Sequence, residues 1–200
     1  MSKKINKVFQ FKVTLEGSKP LIWRRIQVPA SYTFWDFHVA IQDSMGWLDY
    51  HLHSFFILNP KMGKKVEIGI PDEDDRNMGR TIFEGWKENI ADYFSEDNLQ
   101  AKYVYDFGDD WNHLIKLEKT TDSLPEEKYP RCLGGARACP PEDCGGMHGF
   151  YELLKILKNP KHEEYDEMIE WLGGEYNPEE FDTETINFDD PKERFKTAFS

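Results

Sequence analysis

The chain has 200 residues, 39% of them hydrophobic and 14% aromatic, which argues against wholesale disorder and allows one aromatic-rich core. Its 25 Lys and Arg face 37 Asp and Glu, and the net charge of −12 argues against non-specific binding to nucleic acid or to an anionic membrane while leaving room for a local basic patch. No apolar run approaches the roughly 20 residues of a membrane-spanning helix, and the basic start MSKKINKVFQFKV lacks the apolar stretch of a signal peptide.

Residues 7–15 alternate: Phe9, Phe11, Val13 and Leu15 face one way, Gln10, Lys12 and Thr14 the other. This is the period of a half-buried strand. The turn residues 16–20 lead to a second strand from Leu21 to Val28, so the two form a hairpin. Arg24 shares the apolar parity of Ile22, Ile26 and Val28, which predicts a buried guanidinium. Such a group needs carboxylate partners, with Asp106 or Asp109 as candidates; an anion-binding role is the alternative.

Thr33 and Asp36 predict the capping box of a helix that Gly46 ends. Residues 51–58 predict a third strand. Its His51 and His53 point to one face, and imidazoles two apart can share a metal. A short strand near 65–70 follows, then a mobile surface loop over 71–80 and a short helix around 89–94.

Residues 101–118 predict a second hairpin, turned by Gly108-Asp109-Asp110. Asp106, Asp109 and His113 near its tip could bind a cation. The plainer alternative is turn capping by the acids, with His113 inside the sheet on the parity of Trp111 and Ile115. Residues 119–147 read as a loop rich in Cys, Pro and Gly. Within it runs Cys132-x6-Cys139-x4-Cys144-x3-His148, a candidate tetrahedral zinc set; otherwise these are three free thiols packed as small hydrophobes. An odd, clustered cysteine set is no disulfide framework and points to a reducing cytoplasm.

Helices are predicted over 149–158, over 163–172, and after Asp190 with Pro191 at the first helical position. Strands crowd 7–118 and helices 148–199, which predicts a single α+β domain over 1–200: an antiparallel sheet of two or three hairpins with helices packed on it. No Ser-His-Asp order, phosphate loop or HExxH appears.

Several stretches form a recognisable set: Pro20-Leu21-Ile22-Trp23-Arg24-Arg25, Met45-Gly46-Trp47, His51-Leu52-His53-Ser54-Phe55, the run from Tyr105 to His113, Cys139-Pro140-Pro141-Glu142-Asp143-Cys144-Gly145-Gly146, and Pro178-Glu179-Glu180-Phe181-Asp182. Together they resemble the plasmid pRiA4b ORF-3-like family over nearly the whole chain. The resemblance implies an α+β fold and a loose association with plasmids and mobile elements in prokaryotes. It brings no activity with it.

Three functions are therefore expected in turn. The first is a non-enzymatic binding or accessory module, for a protein or other partner, marked by an exposed basic or aromatic patch around Trp23, Arg24 and Arg25. The second is a metal-dependent enzyme acting on phosphate esters, with Asp106, Asp109, His113, His51 and His53 converging in one cleft. The third is a domain stabilised by zinc on the cysteines.

Overall fold

The chain forms eight strands: β1 (Lys7–Leu15), β2 (Ile22–Pro29), β3 (His53–Asn59), β4 (Lys64–Gly69), β5 (Ile82–Glu84), β6 (Gln100–Tyr105), β7 (Trp111–Asp122) and β8 (Arg131–Ala136). In the computed structural model, which describes residues 6–72, 75, 77 and 79–199, they form one sheet in the order β5-β4-β3-β6-β7-β1-β2-β8. Both predicted hairpins lie in it, and every pairing is antiparallel except β4 with β5. The described helices are α1 (Phe34–Met45), α2 (Gly146–Leu157), α3 (Tyr165–Leu172) and α4 (Pro191–Ala198), so the fold is α+β.

Helix α1 begins and ends as the sequence predicts. Thr33 Oγ1 accepts from Asp36 N at 3.1 Å, Asp36 Oδ2 accepts from Thr33 N at 2.9 Å, and Gly46 closes the helix with φ 93°. Its Phe37 ring meets Phe11 of β1 at 4.5 Å, and Phe34 meets Phe55 of β3 at 5.1 Å. These fully buried rings lie at the middle of the core, and truncating Phe37 to alanine would cost about 3–5 kcal/mol. Helix α4 closes over the outside of α1: Trp35 Nε1 donates to Pro191 O at 2.9 Å, and its ring packs on Phe195 and Phe199. Phe150 and Leu154 carry α2 into the core, and α3 packs on α2.

Three expectations are corrected. Residues 119–147 are not all loop: β7 runs on to Asp122, and β8 pairs with β2. Gly135 of β8 is a packing glycine, since a Cβ there would lie 2.7 Å from Trp23 O and 2.6 Å from the Phe181 ring. Within 81–94 stand the short parallel strand β5 and, inside the range of the expected short helix, a single turn of 3-10 helix at Ile90–Asp92. The third strand begins at His53, so His51 sits in the bend that precedes it. Of the predicted loop 71–80, residues 73, 74, 76 and 78 lie outside the described residues; its end is fixed by Arg80, which donates to Glu67 and Asp75.

Candidate metal centre

Two groups of histidine and aspartate side chains gather at the end of the sheet where β3 starts and β6 finishes. The first is His51, Asp106 and Asp143; the second is His38, Asp49 and His53. In each, the potential ligand atoms lie within 4.8 Å of one another. They behave differently as chemistry.

In the first group the three residues come from separate segments. Asp106 ends β6 at φ 55°, a left-handed conformation that Asp tolerates better than most side chains. Its Oδ1 accepts from Gly108 N at 2.8 Å and Asp109 N at 3.3 Å, which leaves Oδ2 turned towards His51 Nε2 at 3.7 Å. Asp143, also left-handed at φ 58°, brings Oδ1 to 3.1 Å from the same nitrogen. Two neighbours hold its segment in place. Glu142 accepts a hydrogen bond from the Tyr105 hydroxyl on one oxygen and from Leu48 N at 3.1 Å on the other. Asp109 Oδ2 accepts from Gly145 N at 3.2 Å. Burial and the Glu142 carboxylate both push the Tyr105 hydroxyl pKa well up, so it stays a donor.

The 3.1 Å separation meets the distance for an ion pair, yet His51 Nε2 is sealed from solvent and makes no hydrogen bond with good geometry. Ligands about 2.1 Å from one ion, at tetrahedral to right angles, stand about 3.0–3.4 Å apart. The 3.1 Å separation falls within that spacing, and the 3.7 Å separation lies beyond it. The Asp143 side chain is 65% exposed, so the group opens to solvent on one side.

In the second group, His38 and Asp49 belong to a hydrogen-bonded relay. Gln42 Nε2 donates to the Tyr103 hydroxyl at 2.8 Å, that hydroxyl lies 2.8 Å from His38 Nδ1, and His38 Nε2 lies 2.8 Å from Asp49 Oδ1. Arg194 reaches the other Asp49 oxygen at 3.4 Å. The His53 ring stacks on His38, 3.4 Å between centroids, and burial together with His38 holds its pKa well below 6.5. His38 uses both ring nitrogens on protein partners, whereas buried His53 Nδ1 has no hydrogen-bond partner among the described residues.

The predicted polar residues therefore divide. His51 and Asp106 come together; Asp109 supports them from behind; His53 joins the other group. His113 points into the core between Trp47 and Tyr103, fully buried. Arg24 is buried as predicted but does not pair with the Asp106–Asp110 turn. It donates to the carbonyls of Ser44, Trp23 and Ala136, and its guanidinium lies 4.2 Å from the Phe181 ring centre. The strand carries it towards α1 and β8 and away from the hairpin tip. That also removes it from the expected basic patch, and Arg25 there is bound by Glu118 at 2.7 Å. Cys132, Cys139 and Cys144 are free, and with His148 they form no ligand group among the described residues. His148 is exposed on the first turn of α2, while burial pushes the Cys144 thiol up to about 12 and raises Cys132 and Cys139 too.

Asp143, Glu142, His38 and Asp49 were missed as site residues. Asp143 and Glu142 stand between Cys139 and Cys144, where the cysteines drew the zinc reading. His38 follows Phe34 by four and precedes Ile41 by three, the inward face of α1, a usable signal.

The chain is a member of the family described as plasmid pRiA4b ORF-3-like protein, whose sequence profile matches residues 7–185. Among its relatives is an uncharacterized protein, y4hQ, of Sinorhizobium fredii (strain NBRC 101917 / NGR234), 33% identical over 182 residues, covering 90% of this chain and 87% of that one. The crystal structure of a protein of unknown function, MM3350 from Methanosarcina mazei Go1, superposes with a TM-score of 0.84 at 43% identity, covering 92% of this chain and all of that one. No helix among the described residues is long and apolar enough to cross a membrane.

Proposed function

We propose that the protein is a binding module built around one divalent cation, held by His51 Nε2 and the carboxylates of Asp106 and Asp143. One observation supports this above others: a sealed imidazole nitrogen stands 3.1 and 3.7 Å from two carboxylates and hydrogen-bonds to neither. One imidazole with two carboxylates suits zinc, manganese or ferrous iron. The open side at Asp143 leaves room for an anionic group of a ligand to complete the coordination. Calorimetric titration with zinc chloride and manganese chloride tests the reading. One site in the wild type, lost in His51→Ala and in Asp143→Asn, is the expected result. Equal heat in His51→Ala, or none in the wild type, contradicts it.

A second reading, metal-dependent hydrolysis of phosphate esters at that ion, is favoured by the same exposure of Asp143. Manganese-dependent turnover of p-nitrophenyl phosphate that disappears in Asp143→Asn would support it. Metal binding without turnover leaves the binding module as the account.

A further inference from the structure

Arg24 is 2% exposed and forms no ion pair among the described residues. A guanidinium stays protonated in proteins, so this is a buried positive charge. Neutral carbonyls take Nε at 2.7 Å and Nη1 at 2.9 and 3.2 Å. Phe181 covers one face of the group, and Nη2 makes no hydrogen bond to the described residues. The ionisable side chains whose fields act on it are the thiols of Cys139 and Cys132 and the Tyr176 phenol. Burial raises the pKa of all three, so at neutral pH none supplies a negative charge. A buried charge without a counter-charge is costly, and sequences normally place a carboxylate beside it. Here the position of the carboxylate is taken by space. Arg24 lines a cavity of about 530 Å3 shared with Trp47, Cys139, Tyr176 and Phe181. That volume, with Trp47, Tyr176 and Phe181 beside the Arg24 guanidinium, suits a small organic ligand.

We propose that this cavity binds a small organic carboxylate, its oxygen on Arg24 Nη2 and its apolar body against Trp47, Tyr176 and Phe181. The mouth narrows the choice of anion. Glu175, Glu180 and Asp182 line it and are exposed, while Asp43 deeper in is bound to Arg194 at 2.7 Å. A rim of carboxylates repels a phosphate dianion more than a monoanionic carboxylate. The site is separate from the His51 centre, so either can fail alone.

Benzoate, acetate and inorganic phosphate are the probes, read by Trp fluorescence and by thermal shift on the full chain. Benzoate at millimolar concentration is expected to change the fluorescence and raise Tm, acetate less, phosphate not at all. Arg24→Met should abolish the benzoate response, and Arg24→Lys should retain a weakened one. If Arg24→Met does not fold, transferred NOEs from wild-type Trp47 and Tyr176 rings to bound benzoate decide the matter. An unchanged response in Arg24→Met, no NOE from those rings, or phosphate binding more tightly than benzoate overturns the proposal.

Discussion

The imidazole of His113 meets the indole of Trp47 edge to face, 5.3 Å between centroids at 84°, and neither of its ring nitrogens has a hydrogen-bond partner among the described residues. Burial holds its pKa at about 4 against the usual 6.5. Below pH 6.5 the unfolded chain takes up a proton that the folded chain refuses. Stability therefore falls as the pH drops from about 6.5 to about 4 and levels off beyond, a loss of ~3 kcal/mol from this residue. Burial of His53 acts in the same direction. Urea denaturation across this range should show the decline, and His113→Phe should flatten it. A midpoint constant down to pH 5 would refute the assignment.

Gly146 starts α2 with φ 65°, and its α-carbon lies so close to the Asp109 carbonyl that a Cβ would collide with the oxygen. Gly146→Ala should cost about 1–3 kcal/mol, through overpacking and the left-handed backbone. It should also weaken cation binding, because the same contact places the segment that carries Asp143. A variant with wild-type Tm and wild-type metal affinity would show that the contact is dispensable.

Arg194 of α4 bonds the buried carboxylate of Asp43 at 2.7 Å and ties α4 to α1. Burial already raises the Asp43 pKa despite that partner. Arg194→Met strands the carboxylate and should cost roughly 3 kcal/mol in chemical denaturation. A loss within about 0.5 kcal/mol, typical of a plain surface change, would mean that the pair adds nothing.

If the cation binds the folded state alone, zinc at a hundredfold excess over its Kd should stabilise the protein by about 2.7 kcal/mol. Chelation with EDTA should reverse the shift in Tm. Asp106→Asn should abolish the zinc effect while leaving the apo Tm near that of the wild type, because Asp106 still accepts the turn amides through its side-chain oxygen. A zinc shift of wild-type size in Asp106→Asn would argue for a different site.

Local signals carried much of the fold. Alternation gave β1, β2, β6 and β7; Thr33, Asp36 and Gly46 gave both ends of α1; Asp190 and Pro191 gave the start of α4. What the chain concealed was non-local. β8 hides in a Gly-rich segment because its glycines answer to Trp23 and Phe181, far away in sequence. The parity of Arg24 announced its burial, but parity cannot say which partners wait on that side. His51 and Asp106 were legible as candidate ligands; Asp143 became one only when the fold brought its loop against β6.

Anomalous diffraction from zinc-soaked crystals tests the central claim most directly. The account predicts a peak about 2.0–2.2 Å from His51 Nε2 and from one oxygen each of Asp106 and Asp143. A peak instead between His38, Asp49 and His53 or among the cysteines, or no peak beside His51, would contradict it.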